Sequence, residues 1–211
     1  MSESKHKRCR KDMGPSAACT ETQLATPVHI RRRVGLDFGG VIVMHKHDWD
    51  KKMFWETTKE SEVRGALEAV ARLVRHFGAD NVCIISSASP RVEKSARYWL
   101  RIADFFSATG MLPGNVHFVR EATGPAGKGP LAAKLCLTDF VDDSDVNLQA
   151  ILRDDAGNSG AHIAAADGKL IRFSRSGSLR PPPLRQAFGD TLPANLMSVT
   201  SWAEVLQILC P

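Results

Sequence analysis

Six residues of this chain have the types and spacing to do chemistry on an anion: Asp37, Ser86 with Ser87, Lys128, and the pair Asp142-Asp143. Asp37 closes the apolar run Val34-Gly35-Leu36 and is followed by Phe38-Gly39-Gly40, a carboxylate delivered beside a backbone free to turn tightly. Ser86 and Ser87 follow the apolar residues Val82 to Ile85, and Asp142-Asp143 follow Leu137 to Val141. Three carboxylates brought together repel one another unless a divalent cation sits among them, and Mg²⁺ favours such oxygen ligands. A hydroxyl and an ammonium beside that ion would hold an anionic substrate, with phosphate the natural candidate.

The elements that must position these groups alternate between short apolar strands and amphipathic helices. Val63, Leu67, Val70, Ala71, Val74 and Phe77 recur at helical spacing, and Gly78 follows as a stop. After the strand at Val82 to Ile85, Ser89 and Pro90 read as N-cap and first helical residue for Val92, Ala96, Leu100 and Ala103. A turn at 110–114 leads into a strand at Val116 to Val119, and Lys128 opens a helix carrying Leu131 and Leu135. The strand ending at Asp142 feeds a helix with Val146, Ile151 and Leu152. Residues 153–168 and 180–193 read as loops, the second stiffened by Pro181-Pro182-Pro183. Leu196 to Val199 read as a last strand, and Ser201 with Glu204 forms a capping box for a final helix. Parallel strands need crossover connections, so the pattern predicts an α/β three-layer sandwich: a Rossmann-like parallel sheet with helices on both faces. In such a sheet ligands bind outside the carboxyl ends of the strands, where Asp37, Ser86-Ser87 and Asp142-Asp143 fall, and Lys128 precedes the last of these by one short helix.

Those residues, in that order, resemble the haloacid dehalogenase-like (HAD) phosphohydrolase superfamily. Its pattern is a strand ending in Asp-x-Asp-Gly, a strand ending in Ser or Thr, a Lys at a helix start, and a strand ending in paired Asp. Here the matches are Val34 to Gly40, Ile84-Ile85-Ser86, Lys128-Gly129-Pro130 and Phe140-Val141-Asp142-Asp143. The resemblance implies that Asp37 is the nucleophile, taking a phosphoryl group as an aspartyl-phosphate. Ser86 would then bond the phosphoryl oxygens, while Lys128 neutralises their charge and steadies Asp37. The metal, Mg²⁺, would be held by Asp37, Asp142, Asp143 and the backbone carbonyl of Gly39. Ser87 and Arg91, the latter on the first turn of the helix after Ser86, are further candidate phosphate contacts.

Gly39 departs from that pattern. The family's phosphatases carry there a second Asp, which protonates the leaving oxygen and later activates water, and a glycine does neither. General acid-base catalysis is worth roughly 10² to 10⁴-fold in rate, so metal and phosphate binding are expected to outlast turnover. The alternative reading is a HAD-like module that binds Mg²⁺ and a phosphorylated ligand or protein without hydrolysing it. His45, His47 or Asp48 could substitute as the acid. The first phosphate loop of sugar-kinase and actin-type ATPases also has an Asp-x-Gly-Gly turn, but those proteins need two related lobes, more than 211 residues provide. Only 48 residues separate Asp37 from Ser86, so the cap over the site is expected to be minimal, with Met44 to Glu60 as a small flap. An open site of this kind suits a phosphorylated small molecule or macromolecule.

Charge separates the chain into two parts. Residues 1–33 hold eight Lys or Arg against three acidic residues, and the remainder carries twenty of each. The organisation expected is a disordered basic arm at 1–32 and a single domain at 33–211. The arm could contact nucleic acid or act as a nuclear signal. The five scattered cysteines, never in a Cys-x-x-Cys arrangement, suggest reduced thiols in a cytoplasmic setting, with Cys83 a buried apolar residue. No stretch reaches the ~18 apolar residues of a membrane span, so no membrane partner is expected.

Overall fold

The computed structural model describes residues 31–44, 61–120, 127–158, 163, 167–174, 188 and 193–211. They belong to a compact unit, Arg31–Pro211. Residues 1–30 of the expected arm, the flap beyond Met44, the substitute acids His45, His47 and Asp48, and the triple proline lie outside the described residues.

Six strands form one sheet: β1 (Val34–Leu36), β2 (Val82–Ser87), β3 (Val116–Val119), β4 (Asp139–Asp142), β5 (Leu170–Phe173) and β6 (Leu196–Val199). The order across the sheet is β3-β2-β1-β4-β5-β6, and every pairing is parallel. The chain winds outward from β1 in one direction through β2 and β3, then returns to β1's other side to wind through β4, β5 and β6. The order therefore reverses between β1 and β4, and a crevice opens at that point above the strands' carboxyl ends.

The helices are α1 (Ala66–Phe77), α2 (Pro90–Ile102), α3 (Phe105–Thr109), α4 (Lys128–Lys134), α5 (Asp145–Asn158) and α6 (Trp202–Leu209). One face of the sheet, with Leu36, Ile84, Val141 and Ile171, packs beneath α1, α2, α3 and α6 through Leu73, Trp99, Phe105 and Val205. The other face, with Ile85, Phe140, Leu170 and Leu196, packs beneath α4 and α5 through Ala132, Leu148 and Ile151. Because side chains alternate along each strand, the two sets share the same strands yet fill separate cores. This is the three-layer sandwich expected from the sequence.

Local sequence accounts for the helix ends that matter to the site. Ser89 accepts a hydrogen bond from the Val92 N–H at 3.4 Å, with Pro90 at the first helical position. Ser201 accepts from the Glu204 N–H and donates to its carboxylate at 3.0 Å, completing the expected capping box. Three features differ from the sequence reading. Helix α5 continues to Asn158, into the segment expected to be a loop from 153, and α3 and β5 had no sequence counterpart. Strand β5 reads Leu-Ile-Arg-Phe, and its Arg172 interrupts the apolar run that would have marked a fully buried strand.

Candidate active site at the strand switch point

Asp37 follows β1, and its N–H donates to the Val141 carbonyl of β4 at 2.8 Å, which pins the two strand ends together. Beyond it Ile42 and Val43 each donate to the Phe38 carbonyl, so the chain turns back at once. Phe38, Val41, Ile42 and Val43 are wholly buried, with Phe38 edge-on to Trp99 and the Val41 carbonyl accepting from the Trp202 indole at 3.0 Å. The turn passes through Gly40 at φ 75°, a conformation that suits glycine. A side chain at Gly40 would also occupy the space of the Asp143 carboxylate, so the second glycine clears room for an acidic group.

Lys128 stands between the two strand ends. Its side chain is 1 % exposed, and its Nζ lies 2.7 Å from Asp37 Oδ1 and 2.7 Å from Asp142 Oδ2. Burial alone would lower the pKa of Lys128, but Asp142 and Asp37 outweigh it and raise it, so the ammonium stays charged. Beneath it lies the Phe140 ring, its centroid 6.0 Å from Nζ. Asp142 is fully buried, and its Oδ1 accepts from the Ser144 N–H at 2.8 Å and from Asn147 Nδ2 at 3.0 Å.

Asp143 completes the group. One oxygen each from Asp37, Asp142 and Asp143 lies within 4.8 Å of the others, Asp143 being the exposed member. Three carboxylates facing one ammonium leave an excess of negative charge. Loss of water pushes Asp37 up to about 7, Lys128 partly offsetting this and Asp142 adding to it. Asp143 rises to about 8 as its carboxyl loses water against the protein and meets the charges of Asp37 and Asp142; its exposure to solvent screens that repulsion. Hard oxygen donors, excess negative charge and one open side are what a small divalent cation requires, so these residues fit Mg²⁺.

The sequence-predicted residues separate into four groups. Asp37, Lys128, Asp142 and Asp143 converge. Gly39 sits in the turn that follows Asp37, bridged to Val43. Of the serines, Ser86 follows Val82 and Ile84 toward the α1–α2 layer, whereas Ser87 follows Cys83 and Ile85 toward the face that holds Phe140 and Asp142. The Ser87 Oγ is buried and has no protein hydrogen-bond partner. Arg91 is exposed on the first turn of α2.

Two contributors escaped the sequence reading. Asn147 is buried and holds both oxygens of Asp142, while its own Oδ1 is buried without a protein partner. The only signal for it was an amide five residues after Asp142, on the first turn of the helix. Arg172 of β5 is 5 % exposed, lies beside Asp142 in the strand register, and pairs with Asp145 at 3.3 Å. Cys83, by contrast, is the buried apolar group expected; burial pushes its thiol up to about 12.

The fold is a six-stranded parallel α/β sandwich with three carboxylates and a lysine gathered at its strand switch point. No family model matches the sequence, and no curated protein matches it. Among solved structures the chain is similar to a HAD family hydrolase from Deinococcus radiodurans R1, crystallised with bound phosphate and sodium, at 19% identity and a TM-score of 0.43. That match covers 70% of this chain and 58% of the other. It is also similar to a protein assigned as a haloacid dehalogenase-like hydrolase from Burkholderia xenovorans LB400, at 16% identity and a TM-score of 0.45, covering 74% and 61%. The chain thus spans about three fifths of the length of these proteins. Among the described residues, no helix is long and apolar enough to cross a membrane.

Proposed function

We propose that the chain is a Mg²⁺-dependent HAD-like phosphohydrolase whose turnover is weakened by Gly39. One observation carries the reading: a buried lysine bridges two strand-end carboxylates at 2.7 Å each, with a third carboxylate alongside. A purely structural ion pair has no use for that third acid, whose charge destabilises the empty cluster.

In this reading one Asp37 oxygen attacks phosphorus, the bond to the leaving oxygen breaks, and that oxygen takes a proton from water, since residue 39 carries no acid. Water then attacks the aspartyl-phosphate, releasing inorganic phosphate and restoring the carboxylate. Mg²⁺, held by Asp37, Asp143 and Asp142, would supply positive charge to the phosphoryl oxygens and keep Asp37 ionised. Lys128 contributes the fixed protein charge, and Asn147 keeps Asp142 oriented toward it. Leaving groups that depart without protonation are the favoured substrates, so acyl and aryl phosphates should exceed alkyl phosphates.

The test is a panel of phosphate esters with Mg²⁺, wild type against Asp37→Asn. The expected result is release of phosphate from 4-nitrophenyl phosphate, near-zero release from alkyl phosphates, and loss of both in the variant. Activity surviving Asp37→Asn removes the nucleophile assignment. A protein that binds Mg²⁺ and phosphate but turns over none of the panel is instead the binding module.

A further inference from the structure

The turn that follows Asp37 is held by two tryptophans from distant parts of the chain. Its own bonds are few: Ile42 and Val43 both donate to the Phe38 carbonyl, Gly40 donates to the Val43 carbonyl, and Gly39 and Gly40 bring no side chains to pack. Trp99 of α2 meets Phe38 edge-on, ring centroids 5.7 Å apart. Trp202 of α6 contributes a bond: its indole Nε1 donates to the Val41 carbonyl at 3.0 Å, between residues 161 positions apart. Both partners are buried, Val41 wholly and Trp202 at 3 % exposure.

Local structure aims the indole at that carbonyl. Helix α6 starts three residues after β6, at the carboxyl end of the sheet and so at the same end as Asp37. Trp202 is its first residue, directly after the Ser201 cap. Glu204 ties down the two residues before it, accepting from the Thr200 N–H at 3.0 Å and from the Ser201 hydroxyl at 3.0 Å. The indole ring then rests against Phe173 of β5, centroids 5.7 Å apart. A tryptophan has one donor and no acceptor, so placing that N–H fixes what the side chain does for its surroundings. A buried carbonyl stripped of its donor costs free energy, and the peptide joining Val41 to Ile42 would have to rotate to recover a partner. That peptide is continuous with Gly40, whose open side the Asp143 carboxylate fills, and with Gly39 and Asp37.

From this we propose that Trp202 is a positioning residue of the candidate active site. Through the Val41 carbonyl its indole N–H holds the nucleophile turn, and with it Asp37 and the seat of Asp143, in place against Lys128 and Asp142. The C-terminal helix is thereby part of the site's support. The consequence for turnover rests on the reading of Asp37 as nucleophile; the holding of the turn does not.

Two variants remove the N–H: Trp202→Phe, and the benzothienyl isostere of Trp202, in which sulfur takes the place of the indole nitrogen and the ring keeps its size. If Trp202→Phe fails to fold, the isostere decides. Amide exchange of the full-length protein, read by mass spectrometry, should speed up by about tenfold or more over residues 38–43 and stay near the wild-type rate in β2 and β4. With Mg²⁺ and 4-nitrophenyl phosphate, kcat should fall about 10- to 100-fold while KM changes by less than about threefold, the pattern of a displaced reacting group. Leu209→Ala is the control, a wholly buried α6 residue whose truncation weakens the helix packing and leaves the indole bond in place; it should keep the wild-type kcat. Exchange that rises alike in 38–43, β2 and β4 reports lost global stability and overturns the proposal, as does exchange that stays at the wild-type rate. A kcat that falls as far in Leu209→Ala overturns it too. If the wild type turns over no ester, the phosphohydrolase reading fails, and the exchange result alone decides the role of Trp202.

Discussion

At the scale of single residues, Asp37 and Gly39 divide the reaction between what is present and what is missing. Gly39 is not among the glycines with positive φ, so the backbone there accepts a side chain. Gly39→Asp should therefore supply the absent acid and raise turnover of alkyl phosphates by about 10²-fold or more, the usual worth of a positioned acid. Steady-state kinetics on an alkyl and an aryl phosphate checks this: the alkyl rate should rise far more. An equal rise on both would mean that the new carboxylate acts on the metal and not on the leaving group. The two serines make a second residue-scale comparison. The family pattern points to Ser86, but strand alternation and the unpartnered Oγ favour Ser87 as the hydroxyl facing the lysine side. Ser87→Ala should cost about 10- to 100-fold in kcat/KM, consistent with one hydrogen bond to a charged oxygen, and Ser86→Ala much less. Residue identities were legible because carboxylate, hydroxyl and lysine each end or open an element. Which of two adjacent serines faces the site was not, because one residue of strand register changes the answer.

At the scale of elements, the strands carrying the site were readable wherever an apolar run ended in a polar group. Strand β5 was not, because the sheet's edge toward β6 admits a buried charge. Arg172 lies between Asp142 and Ser198 in the register, and its guanidinium reaches Asp145 in the first turn of α5. That pair fastens α5, and with it Asn147, to the sheet beside the carboxylates. Asp145→Ala should destabilise the protein by about 2 to 3 kcal/mol, measured by urea unfolding, because it leaves the nearly buried Arg172 guanidinium without its charge complement. Arg172→Leu should cost less, since the Asp145 it leaves behind is partly exposed and water can take the place of the guanidinium. The same physical reasoning explains why α5 overran its expected end: its later residues are Gly, Asn and Asp, poor helix formers that composition reads as loop. A counterpart pair sits at the opposite end of β4. There Asp139, wholly buried, accepts from Arg32, from Thr138 and from the Lys169 N–H, fixing the segment that leads into β1.

At the scale of the whole molecule, the cluster makes folding stability depend on pH and on metal together. Asp37 titrates near its ordinary 3.8 when unfolded and at about 7 in the metal-free fold, so between those values the native state binds more protons than the unfolded state. Stability therefore falls as pH rises through that window and levels off above it, by an amount on the order of a few kcal/mol. Asp143, raised for the same reasons, extends the decline toward pH 8 in a form weakened by solvent screening. A divalent cation binds the ionised carboxylates, so its stabilisation must grow through the same window in which the metal-free protein weakens. Urea midpoints at pH 5 and pH 8, with chelator or with Mg²⁺, should show the chelated protein less stable at pH 8 and Mg²⁺ closing most of that gap. Asp37→Asn supplies the internal control: it removes one of three crowded charges, so the metal-free variant should lose most of its pH slope and gain little from Mg²⁺. A pH slope unchanged by Asp37→Asn would place the titrating group elsewhere, and an absent Mg²⁺ response at pH 8 would reject the cation site. The two results together separate a carboxylate cluster built to hold an ion from one that is merely buried.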